Sequence, residues 1–306
     1  MNIATDLDQR LSATLRAKAG QVRSASWPTA EDLVPSRLPV GGAPSHHGRR
    51  VWAAVAAVAV LALIAAGLAA RDGSRDRTGV RAGDEAADAL AQIERIADSG
   101  TIFDQVGTGT AGPEPREVSG PVLTDGGRPE VLYVGAEYCP YCAAERWALV
   151  VALSRFGRFS SLGATTSASD DVNPDTPSFT FRDSTYSSGV LSFTGVELQD
   201  RDRQPLMSLT PDQTAIEKRL DADGSIPFID FGGQFVLTGA NLDIGVLEGR
   251  SMDEIADALG DPSSPVSQAV VGAANQITNA ICHVTGGTPA SVCTMVSTST
   301  TPTSGG

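Results

Sequence analysis

The pattern of apolar and polar positions divides the chain sharply. Residues from Val51 to Ala70 carry no charged or strongly polar side chain. At about 1.5 Å of rise per residue a helix there spans the roughly 30 Å hydrocarbon core of a bilayer. The alternative is a buried helix of a soluble domain, and uninterrupted apolarity on every face argues against it. Before this run, residues 1–25 suit a short helix, and 26–50 are rich in Pro, Gly, Ser and His and read as linker. After it, Arg71 to Gly83 is charged and aperiodic, a stalk. Asp84 to Ile96 sets Ala87, Leu90, Ile93 and Ile96 on one face and predicts an amphipathic helix. Val118 to Leu123 predicts a strand, and Asp125-Gly126-Gly127 a turn into a second strand over 131–136.

Farther along, Cys142 to Phe156 is apolar on most of a helical surface, with Gly157 suited to its C-cap. A polar, acidic loop from Ser167 to Pro177 follows, then alternating segments at 178–181 and 190–198. Thr210 with Gln213, and Ser251 with Glu254, are capping-box pairs that open helices over 211–220 and through Leu259. Between them, 226–230 and 234–238 form a hairpin around Gly232-Gly233. Val266 to His283 is a last long helix, and a Ser/Thr/Gly tail ends the chain.

Charge and cysteine usage change this picture. The net charge is −13. Residues 1–50 carry a surplus of basic groups, so the remainder is strongly acidic. An acidic body of this kind lacks the basic face that phosphate contacts need, which sets nucleic acid aside. All four cysteines follow the apolar run. Cys282 and Cys293 suit a structural disulfide, with a second redox relay or a zinc site as alternatives. Persistent disulfides belong to an oxidising compartment. Residues 1–50 are therefore expected in the cytoplasm, 51–70 as a retained transmembrane helix, and the rest outside the cell. A cleaved leader is the alternative for the run, since Arg49-Arg50 resembles a twin-Arg start. The basic residues on the two sides of the run do not decide its orientation.

The chemistry centres on Cys139-Pro140-Tyr141-Cys142, placed between an apolar strand and a helix. Strand, Cys-x-x-Cys, helix is the layout of a thioredoxin-type redox site. One thiol at a helix N-terminus meets free N–H groups and the positive end of the dipole, which favour a thiolate. A second thiol one turn behind can resolve a mixed disulfide. Cys139 is thus the expected attacking thiol and Cys142 the resolving one. Pro140 suits the first helical position, and Tyr141 offers an aromatic face. A static disulfide or half of a metal site is the bland reading of the same residues. Ile226-Pro227 opens the later hairpin. Pro227 suits the cis-proline that packs beside the disulfide in thioredoxin-type folds, or else an ordinary strand-start proline.

Taken together, Tyr133-Val134-Gly135-Ala136-Glu137-Tyr138-Cys139-Pro140-Tyr141-Cys142-Ala143-Ala144-Glu145-Arg146-Trp147, Ile226-Pro227-Phe228-Ile229-Asp230-Phe231, Pro205-Leu206 with Leu209-Thr210, and Asn279-Ala280-Ile281-Cys282 resemble the family catalogued as domain of unknown function 929. Its members are membrane-anchored, thioredoxin-like proteins of actinobacteria and archaea. The resemblance implies an α/β, thioredoxin-like domain over 95–295 with inserted strands and extra C-terminal helices. A stalk and amphipathic helix over 71–94 precede it and a disordered tail over 296–306 follows. It also implies redox chemistry at the two thiols, without naming a substrate.

One departure from ordinary thioredoxins stands out. The position six residues before the first Cys, where those proteins bury an Asp, is Tyr133. Glu137, Glu145 and Glu197 are candidates for its proton-transfer role, though each reads more readily as a surface carboxylate. The separation of Cys142 and Pro227 is also long, so strands and a loop at about 160–205 must lie beside the site as a candidate lid. The expected activity is thiol–disulfide exchange with client proteins, aided by a membrane redox partner and using no cofactor or metal. The alternative is a non-catalytic scaffold with a fixed or sensing disulfide. Scarcity of His after residue 50 argues against a Ser-His-Asp hydrolase.

Overall fold

The computed structural model describes residues 83–296. The expected cytoplasmic tail, the apolar run 51–70 and most of the stalk lie outside the described residues, as does the tail beyond 296. Among the described residues no helix is long and apolar enough to cross a membrane.

Helix α1 covers 83–99 and α2 covers Thr101–Val106. The side of α1 that packs inward is Ala86, Ala89, Ile93 and Ile96, with Ala87 exposed. The inward face is thus set by Ala86 and Ala89 and not by Ala87. The helix also runs through the expected boundary at 94 and belongs to the main core. Short strands β1 (Arg116–Glu117) and β2 (Thr124–Asp125) come next. The strand expected over 118–123 is absent. Pro121 in its middle has no N–H to give a ladder, though Val118 and Leu123 at its ends donate to the Gln234 and Gly232 carbonyls at 2.7 and 3.0 Å.

The central strand is β3 (Arg128–Gly135), which leads into α3 (Pro140–Leu153). After α3 come β4 (Arg158–Phe159), β5 (Gly163–Thr166), β6 (Pro177–Thr180) and β7 (Tyr186–Ser187). They pair as two small antiparallel ribbons, β4 with β7 and β5 with β6. Strand β8 (Ser192–Glu197) then returns to lie parallel to β3. Helix α4 (Pro211–Leu220), strands β9 (Phe228–Phe231) and β10 (Phe235–Thr238), a 3₁₀ turn (Ile244–Leu247), α5 (Met252–Ala258), α6 (Pro265–Val284) and α7 (Ala290–Val296) complete the order. Both capping boxes form, at Thr210 with Gln213 and at Ser251 with Glu254.

The fold class is thus α/β. The main sheet is mixed: β9 pairs antiparallel with one edge of β3, while β8 pairs parallel with the other. Beyond β9 lie β10 and β1, both antiparallel to their neighbours. Alternation along β3 sorts its side chains onto two faces. Val131 and Tyr133 join the large core with Trp147 and Leu153 of α3 and Val270 and Ile277 of α6. Leu132 and Val134 join a smaller core with Val196, Phe228 and Val236, against which Ile216 and Leu220 of α4 pack. Helix α3 is buried along nearly its whole length against α6, β6 and the sheet.

Candidate functional site

The site grows from the junction of β3 and α3. Pro140 fills the first helical position, where its missing N–H costs nothing. Cys139 is therefore the N-cap, with extended φ −76° and ψ 122°. Its sulfur takes the place a Ser or Asp oxygen usually holds and accepts the Cys142 N–H at 3.2 Å. Both thiols are free and buried, at 5% exposure for Cys139 and 0% for Cys142. Tyr141 between them is 48% exposed. The hydrogen bond from the Cys142 thiol, the Cys142 N–H and the Arg146 charge hold the Cys139 thiol below its ordinary range, against the opposing effect of burial. Burial, then the hydrogen bond with Cys139, pushes the Cys142 thiol well up.

On the far side of Cys139 stands the start of β9. The Ile226–Pro227 peptide bond is cis. The Ile226 carbonyl lies 4.0 Å from Cys139 Sγ, while the Pro227 carbonyl accepts the Gly239 N–H at 2.8 Å. Cys139, Cys142, Pro140, Tyr141, Ile226 and Pro227 are thus brought together. Residues 114–222 match the family model described as Domain of unknown function (DUF929). That is the family the sequence resembles. The DUF929 match takes in both thiols, β3, α3 and β8, and ends just short of Ile226-Pro227. No curated protein and no solved structure matches the chain.

Within the DUF929 segment, the ground beneath the thiols is charged. Arg146 follows Cys142 by four residues, so it lies on the same face of α3 one turn deeper. Its side chain is fully buried. Arg146 Nη1 donates to both Glu197 carboxyl oxygens, at 3.1 and 2.9 Å, to the Tyr133 hydroxyl at 3.3 Å and to the Ala136 carbonyl at 3.3 Å. Its Nε donates to the Ser178 hydroxyl at 3.3 Å, and Nη2 has no hydrogen-bond partner. Burial lifts the Glu197 carboxyl, against the pull of Arg146 and the Phe181 N–H. Burial lowers and the Glu197 charge raises the Arg146 guanidinium, and the net effect is upward. An arginine keeps its charge even when buried, so we take the pair as ionised. Tyr133 is fully buried, and that burial raises its phenol well above the usual value.

The three carboxylates named from the sequence are not on the surface. Glu197 and Glu145 are fully buried, and Glu137 is 7% exposed and accepts the Thr180 hydroxyl at 2.6 Å. Glu145 accepts the Asn241 backbone N–H at 3.0 Å, and burial pushes its carboxyl up to about 8. Its hydrogen-bond partner is thus Asn241 and not a thiol. Arg146 is the residue the pattern reading passed over. A charge in an otherwise apolar helix, one turn from Cys142, was the available signal.

The inserted segment lies beside the site. The Ala168 N–H donates to the Tyr138 carbonyl at 2.9 Å, and the Glu137 N–H donates to Gln199 O at 2.9 Å. Arg203 lies 5.0 Å from the Tyr138 ring centre and pairs with Asp170 and Asp171 at 2.7 and 3.3 Å. Away from this region, Cys282 is disulfide-bonded to Cys293. Those two sulfurs therefore do not join Cys139 and Cys142 in a four-thiolate metal set.

Proposed function

We propose that the chain is a membrane-anchored, extracytoplasmic thiol–disulfide oxidoreductase with a thioredoxin-like fold, acting on protein cysteines through Cys139 and Cys142. The single observation that carries this is Cys139 as the N-cap of α3, its sulfur on the Cys142 N–H and beside the cis Ile226–Pro227 bond. The helix end favours a thiolate there. In the reducing direction the Cys139 thiolate attacks a client disulfide, forms a mixed disulfide and releases one client thiolate. Cys142 then loses its proton and attacks the Cys139 sulfur, which breaks the mixed bond and frees the second client thiolate. Two electrons pass from the dithiol to the client, and two protons go to the client thiols. The oxidising direction is the reverse, with a client dithiol as reductant and a membrane redox partner restoring the Cys139–Cys142 disulfide. The run 51–70 is proposed as the anchor, with the acidic body outside the cell.

The scaffold reading has one observation in its favour: Cys139 is only 5% exposed. A redox titration with thiols counted site by site by mass spectrometry separates the two. A pair that titrates reversibly between about −120 and −270 mV is poised for exchange. A pair that stays oxidised below about −300 mV behaves as a structural disulfide and sinks the enzymatic reading.

A further inference from the structure

A guanidinium fixed beneath a dithiol is an unusual use of an apolar helix. Arg146 has no route to water, because its side chain is fully buried. Glu197, the Tyr133 hydroxyl and the Ala136 carbonyl all hold Nη1, which fixes the head of the side chain. Ala136 is the carbonyl to which the Cys139 N–H donates at 3.3 Å. One peptide group therefore ties the guanidinium to the backbone of the first thiol. The second terminal nitrogen, Nη2, is buried and unpartnered, so part of the positive charge is not spent on a local acceptor. In a water-free interior such a charge acts over a longer distance than at a surface. Its pull on both sulfurs is in the same sense, toward the thiolate.

We propose that Arg146 is a positioning residue whose fixed charge stabilises the thiolate form of the Cys139–Cys142 pair. The inference rests on the exchange reading above. It assigns Tyr133 and Glu197 the task of holding the guanidinium, and no proton transfer of their own. Because the charge favours the reduced, thiolate state, it also makes the disulfide a stronger oxidant.

The test is the rate of iodoacetamide alkylation at Cys139 in the reduced full-length chain, read by mass spectrometry across pH. Arg146→Met is expected to slow Cys139 at pH 7 by about three- to tenfold, since one pKa unit is a tenfold change in thiolate, partly offset by its greater nucleophilicity. Arg146→Lys, which keeps the charge, is expected to stay within about threefold of the parent. An unchanged rate in Arg146→Met, or an equal fall in Arg146→Lys, overturns the proposal, because a packing role does not distinguish charge. Should Arg146→Met fail to fold, Glu197→Gln answers the same question. It leaves the guanidinium uncompensated, so Cys139 should react faster, and a rate equal to the parent's overturns the proposal. Exchange of the parent chain with oxidised glutathione, measured alongside, reports on the exchange reading separately. A parent that exchanges while no variant shifts has lost only the role of Arg146.

Discussion

Glu145 shows how a single buried residue can set a pH dependence. The Asn241 Oδ1 lies 3.0 and 3.3 Å from the two Glu145 carboxyl oxygens. Two oxygens at that distance need a proton between them, and a protonated Glu145 supplies it. Turning the amide would set its oxygen against Gln276 Oε1, whose own Nε2 is committed to the Gly112 carbonyl at 3.0 Å. With Glu145 neutral, Asn241 Nδ2 donates to Gln276 Oε1 at 3.0 Å and every polar group in the chain of contacts is satisfied. Burial raises the carboxyl from 4.5 to about 8. The folded state then keeps a proton that the unfolded state has lost, so this stabilisation is complete below about 4.5 and declines as pH rises toward 8. Asp230, raised to about 6 by burial, acts in the same sense at lower pH. Melting temperature is therefore expected to fall between pH 6 and 8, and to fall less steeply in Glu145→Gln, which keeps a neutral amide in the same place. Parallel profiles for the two proteins would show that Glu145 is ionised in the fold. The sequence could not announce this group. Asn241 is far away along the chain, and Glu145 in isolation has the pattern of a solvated helix residue.

At the scale of elements, helix α6 shows what patterning can and cannot convey. Its apolar stripe is local and predicts the helix to within a residue or two of Pro265–Val284. The two capping boxes were legible for the same reason, since each is written within four residues. What crosses α6 was not legible. Thr108 and Gly109 lie directly against it: the Thr110 N–H donates to the Gln268 carbonyl at 2.9 Å, and a Cβ on Gly272 would sit 2.4 Å from the Thr108 carbonyl oxygen. Asn275 Nδ2 donates to the Phe103 and Gly107 carbonyls at 2.9 and 2.6 Å and clamps the same segment. Two effects compete at Gly272. Alanine favours a helix over glycine by about 1 kcal/mol. Forcing a methyl group onto a backbone carbonyl costs about 1–3 kcal/mol, and that carbonyl is held from both sides. The second effect wins, so Gly272→Ala should lower the midpoint of urea unfolding. A higher midpoint would mean that the 107–112 segment yields easily. The same logic explains the site: Cys139, Cys142 and Pro140 are neighbours in sequence and were found, whereas the partner of Arg146 comes from β8.

The whole molecule uses its four cysteines in two ways, and the positions explain the division. Cys139 and Cys142 sit at a helix start, beside a backbone carbonyl and above a buried cation. Cys282 and Cys293 lie 11 positions apart in sequence and join the end of α6 to α7. Closing so short a loop removes freedom from the unfolded chain worth about 2–3 kcal/mol. The paired variant Cys282→Ser with Cys293→Ser should therefore lose about that much stability in denaturant titration. It should still alkylate at Cys139 at the parental rate, because α3, β3 and β9 form the reactive site without α7. Reduction of the parent should likewise proceed in two separable steps, counted by mass spectrometry, with the Cys139–Cys142 disulfide opening at the higher potential. If the serine pair abolished Cys139 reactivity while the protein remained folded, the C-terminal cysteines would be a relay feeding the first pair. The equal loss of both functions on unfolding is distinguished from this by circular dichroism of the same sample.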